Sequence, residues 1–242
     1  MSAPTDRIFD LWVYLSANPL LWLTLTLGMY VLALRLAALA RHHPLANPVL
    51  MAIVGLVVVL RVTHTDYQLY FGGAQFVHFA LGPATVALAV PLYRNRALVR
   101  ASALPILVSL IVGAPVAILS AVGIAAAFGA PAPILAALAP KSVTAGIAMG
   151  IARQIGADPA LTAVLVISTG VIGAMMVTPL MNALRIRDYA ARGFAVGLAS
   201  HGIGTVRAFQ VNDVAGAFAG LAMALNGLAT ALVAPLVMLI IR

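Results

Sequence analysis

AALAPKSVTAGIAMGIAR, residues Ala136 to Arg153, decides how this chain is read. It holds the only lysine among 242 residues, directly after a proline and beside a serine and a threonine. Long apolar runs lie on both sides. A proline in such a run removes a helix hydrogen bond and clashes with the preceding turn. The chain is 63% hydrophobic and 8% charged, where a soluble domain is about one quarter charged. Too few charges are present to cover a water-facing surface. The apolar runs are long enough for the ~20 residues that cross a bilayer core as helix. The expected fold is an all-α polytopic membrane protein with about seven or eight transmembrane segments. A β-barrel would show short alternating segments instead.

The expected segments are Pro19–Ala40, Pro48–Val62, Gly73–Tyr93, Ala101–Phe128, Ala132–Ala152, Pro159–Leu184, Gly193–Ala208 and Val214–Ile241. Ile8–Ser16 reads as a short interfacial helix, and Thr65–Gly73 as a polar, glycine-bearing connection. No cleaved signal peptide is expected at the start, where Asp6, Arg7 and Asp10 stand. Net charge is +8, and all six acids are Asp. Arginine gathers in short cytoplasmic loops of membrane proteins, so the excess does not imply nucleic acid. Arg35, Arg41, Arg94, Arg96 and Arg100 put the first and third loops inside. If every later segment crosses, the Arg-rich loop at 185–192 falls outside, against that rule. Either a segment near Ala132–Ala152 is re-entrant or those charges are tolerated.

FALGPATVALAVPLYRNR, residues 79–96, aligns with the opening stretch at a constant offset of 57, from Pro83 to Pro140. Thr85 then meets Ser142, and Arg96 meets Arg153. An internal repeat with two proline-broken helices follows. Paired interrupted helices in related repeats point to a transporter site at the bilayer midplane. Pro83 and Pro140 suit the first helical position. Half-helix N-termini carry free N–H groups that favour an anion. Thr85, Lys141, Ser142 and Thr144 would complete a carboxylate pocket. The plainer alternative is that the prolines only kink spans while Lys141 reaches toward an interface.

A third constellation is GFAVGLASHGIGTVRAF, from Gly193 to Phe209. Gly193 and Gly197 are spaced for close helix packing. Gly202 and Gly204 would permit an unwound backbone, grouping Ser200, His201 and Thr205 at a break. Gln75 and His78 precede the first break and would face the same cavity. Asn226 and Thr230 lie one turn apart, where helix–helix hydrogen bonding is the expected role. The acids stand at segment ends, so His201 is the better proton carrier if transport is proton-coupled. No phosphate loop, metal-ligand spacing or nucleophile–base arrangement is present, so no enzyme, cofactor or metal is expected.

At these residues the chain resembles the LrgB/CidB family, from about Asn18 onward. The elements Gly82 to Ala87, Pro140 to Thr144 and Ser200 to Thr205 carry the resemblance in combination. It implies an inner-membrane protein, often encoded beside a smaller holin-like LrgA/CidA partner. Bacterial members were named as holin- or antiholin-like regulators of murein hydrolase activity and lysis. A plant relative translocates glycolate and glycerate, and other relatives are tied to pyruvate uptake. Small 2-hydroxy or 2-oxo carboxylates are the implied substrates. Where relatives often have acids, this chain has Gly150 and Gln210, which puts proton coupling through those positions in doubt.

Two function classes follow. The first is a small-carboxylate transporter. Residues 1–70 would be scaffold and homodimer surface, and 71–242 a transport core with breaks near 82–85, 139–144 and 200–205. The core would move elevator fashion through the lipid. The second is a holin/antiholin-like lysis regulator that acts on an LrgA/CidA-type partner and has no solute path.

Overall fold

The computed structural model describes residues 18–40, 46–87 and 89–241, all of it helix and turn. The expected interfacial helix at Ile8–Ser16 lies outside these residues, as do the side chains of His78 and Thr85. The helices are α1 Pro19–Leu39, α2 Pro48–Val62, α3 Tyr67–Phe79, α4 Leu81–Ala87, α5 Ala89–Arg94 and α6 Arg96–Ala101. They continue as α7 Ala103–Ala127, α8 Ala132–Leu138, α9 Ala145–Gln154, α10 Pro159–Ala183, α11 Tyr189–Val211 and α12 Asp213–Ile241. Stretches long and apolar enough to cross a membrane are Pro19–Leu39, Tyr67–Arg94, Ala103–Ala127, Pro159–Ala183 and Asp213–Leu239. The chain packs as two compact units that divide after Ala87.

The starts of α1, α2 and α10 are written as an Asn or Asp followed by proline. Asn18, Asn47 and Asp158 accept hydrogen bonds from the first-turn amides, at 2.9, 2.9 and 2.7 Å for the shortest of each. The proline occupies a position whose amide would be unpaired anyway. Gly129 and Gly156 close α7 and α9 with φ of 77° and 72°, the left-handed cap that glycine adopts without strain.

In the first unit, α1 packs on α2 and α3. Trp22 is fully buried and meets Tyr70 edge to face, with centroids 6.0 Å apart. A Cβ on Gly73 would stand 2.1 Å from the Pro19 carbonyl oxygen, so glycine is what lets α3 cross α1. Thr65–Gly73, expected as a connection, is mostly helix: Asp66 accepts from the Gln68 amide at 2.8 Å and starts α3. Pro83 is the third residue of α4 rather than the first. It still lies in the first turn, where a missing N–H costs nothing.

In the second unit two segments turn back on themselves. Ser200 (φ −132°) and His201 (φ 41°) interrupt α11. A Cβ on Gly204 would stand 3.0 Å from the Val196 carbonyl oxygen. In a straight helix those residues are ~12 Å apart along the axis, so the two arms of α11 fold into a hairpin. Its first arm packs on α12 through Gly193 and Gly197, whose Cβ atoms would each lie 2.1 Å from a carbonyl oxygen, of Ala215 and Ala219. This is the close glycine packing expected from their spacing.

The pair α8–α9 is the other hairpin. With 7 and 10 residues, neither arm reaches across a ~30 Å core. Leu135 of α8 and Ile151 of α9 share one buried cluster with Val122 near the end of α7, Val166 near the start of α10 and Val237 near the end of α12. Both arms therefore occupy the half of the unit where α7 ends and α10 begins. The α11 hairpin occupies the other half, where Phe194 and Leu198 pack with Ala222, Ile106 and Leu110. The expected segments at 132–152 and 193–208 are thus re-entrant hairpins pointing at each other. The chain leaves α10 on the side where it entered α7. The Arg-rich loop at 185–192 shares that side with Arg96 and Arg100, which removes the conflict with the positive-inside rule.

Candidate functional site

The two tips meet at α12. Asn226 is fully buried. Its Nδ2 donates to the Leu198 carbonyl at 2.9 Å, to Ser142 Oγ at 3.2 Å and to the Ser142 carbonyl at 3.4 Å. One carboxamide thus ties the end of the first arm of α11 to the loop between α8 and α9. Thr230 Oγ1 donates to Asn226 Oδ1 at 3.4 Å and helps fix the amide's orientation. Asn226 bonds between elements, as expected, though at the tips themselves, whereas the Thr230 hydroxyl bonds within α12 to Asn226.

Residues 139–144 form the first tip. Pro140 does not begin a helix: it stands in the turn after α8, and the next helix begins at Ala145. The reason is local. The Lys141 amide donates back to Leu138 O at 3.1 Å and the Val143 amide to Pro140 O at 3.3 Å, so the chain makes two tight turns first. Thr144 is the cap of α9, and its hydroxyl does not bond the helix amides. That leaves a hydroxyl and the first-turn amides at one place. Ser142 is buried, while Lys141 and Thr144 are partly exposed.

The second tip is Ser200–His201. Gly202 and Gly204, expected to unwind the backbone, have helical φ; the break falls on the two residues before them. Gly204 is required by the close approach of the Val196 arm rather than by φ. Ser200, His201 and Thr205 are all buried. His201 Nε2 donates to the Val166 carbonyl of α10 at 2.9 Å, which leaves Nδ1 as an acceptor. Thr205 Oγ1 donates to the His201 carbonyl at 2.8 Å.

Two glycines of α10 make room for this tip. A Cβ on Gly173 would overlap Ser200 Oγ at 1.7 Å, and one on Gly170 would stand 2.6 Å from the His201 ring. Sequence reasoning missed both. The available signal was their spacing of three within an apolar helix, close to the spacing of four that marked Gly193 and Gly197. Of the remaining expected residues, Pro83, Thr85 and Gln75 belong to the first unit. Gln75 is exposed and donates to the Gly72 carbonyl at 2.7 Å. Within the second unit, the break that faces 139–144 is Ser200–His201.

Chemically, the arrangement can attract an anion. Helices α9 and the second arm of α11 both begin at the tips, directing partial positive charge there. An ammonium, a cap hydroxyl and buried polar groups stand alongside. Among the described residues no group of His, Cys, Asp and Glu could hold a metal ion.

The profile of the LrgB-like family matches residues 26–240. The holin-like protein CidB of Staphylococcus aureus (strain N315) is 29% identical over 221 residues, 91% of this chain and 96% of that protein. The CidB of Staphylococcus epidermidis (strain ATCC 12228) is 27% identical over 94% of this chain and 98% of its own length. The uncharacterized protein YxaC of Bacillus subtilis (strain 168) is 34% identical over 80% and 84%. No solved structure matches the chain. With its apolar helices and this match over most of its length, the chain is a multi-pass membrane protein and belongs to the LrgB-like family.

Proposed function

We propose that the chain binds a small carboxylate between its two hairpin tips and carries it across the membrane. The supporting observation is the opposition of the tips at Asn226, each followed by the N-terminus of a helix ten residues long or nearly so, next to Lys141. Half-helix N-termini meeting near the midplane are the arrangement that transporters use for anions. Lys141 supplies charge attraction, Thr144 a hydroxyl, and the amides of Ala145 and of Gly202–Gly204 the hydrogen bonds. Ser142, Ser200, His201 and Thr205 shape the pocket around them. The substrates are short 2-hydroxy or 2-oxo acids such as glycolate, glycerate, lactate or pyruvate. The second unit moves as a carrier, while the first two spans act as scaffold and homodimer surface.

A second reading is favoured by the name of two relatives, holin-like protein CidB. On that reading the chain regulates murein hydrolase activity and lysis with a smaller membrane partner, and Lys141 has no chemical task. Proteoliposomes containing this chain alone separate the two. Saturable uptake of labelled pyruvate or glycolate, lost in Lys141→Ala, supports transport. Release of a trapped dye without saturable uptake supports the holin-like reading, and uptake unchanged in Lys141→Ala rejects the site.

A further inference from the structure

A small, shallow cleft opens on the Arg-rich side, between the end of α10, both arms of the α11 hairpin and the start of α12. Arg207 and Arg192 both line it, with Thr178 and Tyr189, and its other walls are apolar, among them Met181, Val211 and Ala215. Among the described residues no acidic one lines it. Arg192 is already engaged: its Nε donates to the Ile186 carbonyl at 2.8 Å and its Nη2 to Asn182. Arg207 is not. Its Nη atoms reach only neutral oxygens, Gln210 Oε1 and Thr178 Oγ1, each at 3.4 Å. Its Nε is buried with no hydrogen-bond partner. A guanidinium in this state bears a desolvation cost that two long contacts to neutral groups do not offset. Its fork presents donors in the plane that a carboxylate accepts.

We infer that Arg207 is the anchor of a second carboxylate site, separate from the tips, with Arg192 adding charge and Thr178 a hydroxyl. The apolar walls select an organic acid over inorganic phosphate, because they offer phosphate oxygens nothing to bond. Arg207 lies six residues from His201 along one helical arm, ~9 Å from the tip. A carboxylate there is outside the reach of Lys141's pocket but on the path along the hairpin. The acid is either a small free carboxylate or the head of a fatty acid held from the lipid. The inference does not depend on whether the chain transports.

The test is equilibrium binding of labelled pyruvate, and separately of labelled oleate, to the full chain in detergent. The Lys141→Ala variant is the background, since it removes the tip site. Residual binding of one probe is expected there. Adding Arg207→Gln should weaken it about tenfold or more, with Arg207→Lys in between. Pyruvate binding identifies a free acid, and oleate binding alone identifies a lipid-derived one. Either result supports the site. Binding that is absent from the Lys141→Ala background, or unchanged by Arg207→Gln, overturns it. If the variants fail to fold, phenylglyoxal modification of Arg207 in the unaltered protein, read by mass spectrometry, serves instead. Saturating pyruvate or oleate should slow it several-fold, and no protection by either rejects the site.

Discussion

Asn226 Nδ2 lies 3.2 Å from Ser142 Oγ and 2.9 Å from the Leu198 carbonyl, so a single buried amide holds two hairpins that approach from opposite sides. Neither hairpin tip otherwise has a polar partner of that kind on α12 among the described hydrogen bonds. The amide is therefore a structural element of the site as much as any group that would touch a substrate.

Removing that amide should loosen both tips together. Asn226→Ala leaves buried acceptors unpaired, at ~1–3 kcal/mol. Asn226→Asp keeps the shape but sets a carboxylate against two carbonyl oxygens, and should be at least as damaging. Thermal unfolding of the purified protein in detergent should show both melting well below the unaltered chain. A melting temperature unchanged in Asn226→Asp would mean that the tips are held by something else.

The α10 glycines make a sharper steric prediction. Gly173→Ala places a Cβ on Ser200 Oγ, and overpacking of this kind costs ~1–3 kcal/mol. Gly123→Ala in α7 meets nothing within 4 Å and should be neutral or slightly stabilising, since alanine favours helix. Comparing the two melting temperatures removes the general effect of a Gly→Ala change in a helix. Equal shifts would count against the tight fit of the tip on α10.

At His201 the backbone has φ of 41°, a region that a side chain occupies at ~1–3 kcal/mol. His201→Gly relieves that strain while removing the ring, whereas His201→Ala keeps the strain and loses the Val166 bond. The glycine variant should melt higher than the alanine variant, and both should bind carboxylate more weakly than the unaltered chain. Glycine melting lower than alanine would indicate that the turn is not strained.

Most helices and the polar character of the tips were legible in the sequence. The Asn-Pro and Asp-Pro starts mark α1, α2 and α10 because they act locally. Lys141, Ser142, Ser200 and His201 stood out because polar groups are costly in an apolar run. The hairpins were not legible. A 7-residue arm, a turn and a 10-residue arm have the same composition as one broken span, and only contacts from α7, α10 and α12 distinguish them. The roles of Gly202 and Gly204 were misjudged for a related reason: a glycine needed for close approach looks the same in sequence as one needed for φ. The arginine conflict at 185–192 was the one sequence cue to re-entrance.

The most direct test of this architecture uses the absence of cysteine from the chain. Single cysteines would replace exposed Phe128 and Gln154, which flank the α8–α9 hairpin, and exposed Arg100, Arg187 and Gln210 on the other side. A membrane-impermeant maleimide is then applied to vesicles of each orientation. Phe128→Cys and Gln154→Cys should label from one face, and Arg100→Cys, Arg187→Cys and Gln210→Cys from the opposite face, the cytoplasmic one. Labelling of Phe128→Cys and Gln154→Cys from opposite faces would contradict it, because residues 132–154 would then cross the membrane and the two tips would not oppose each other.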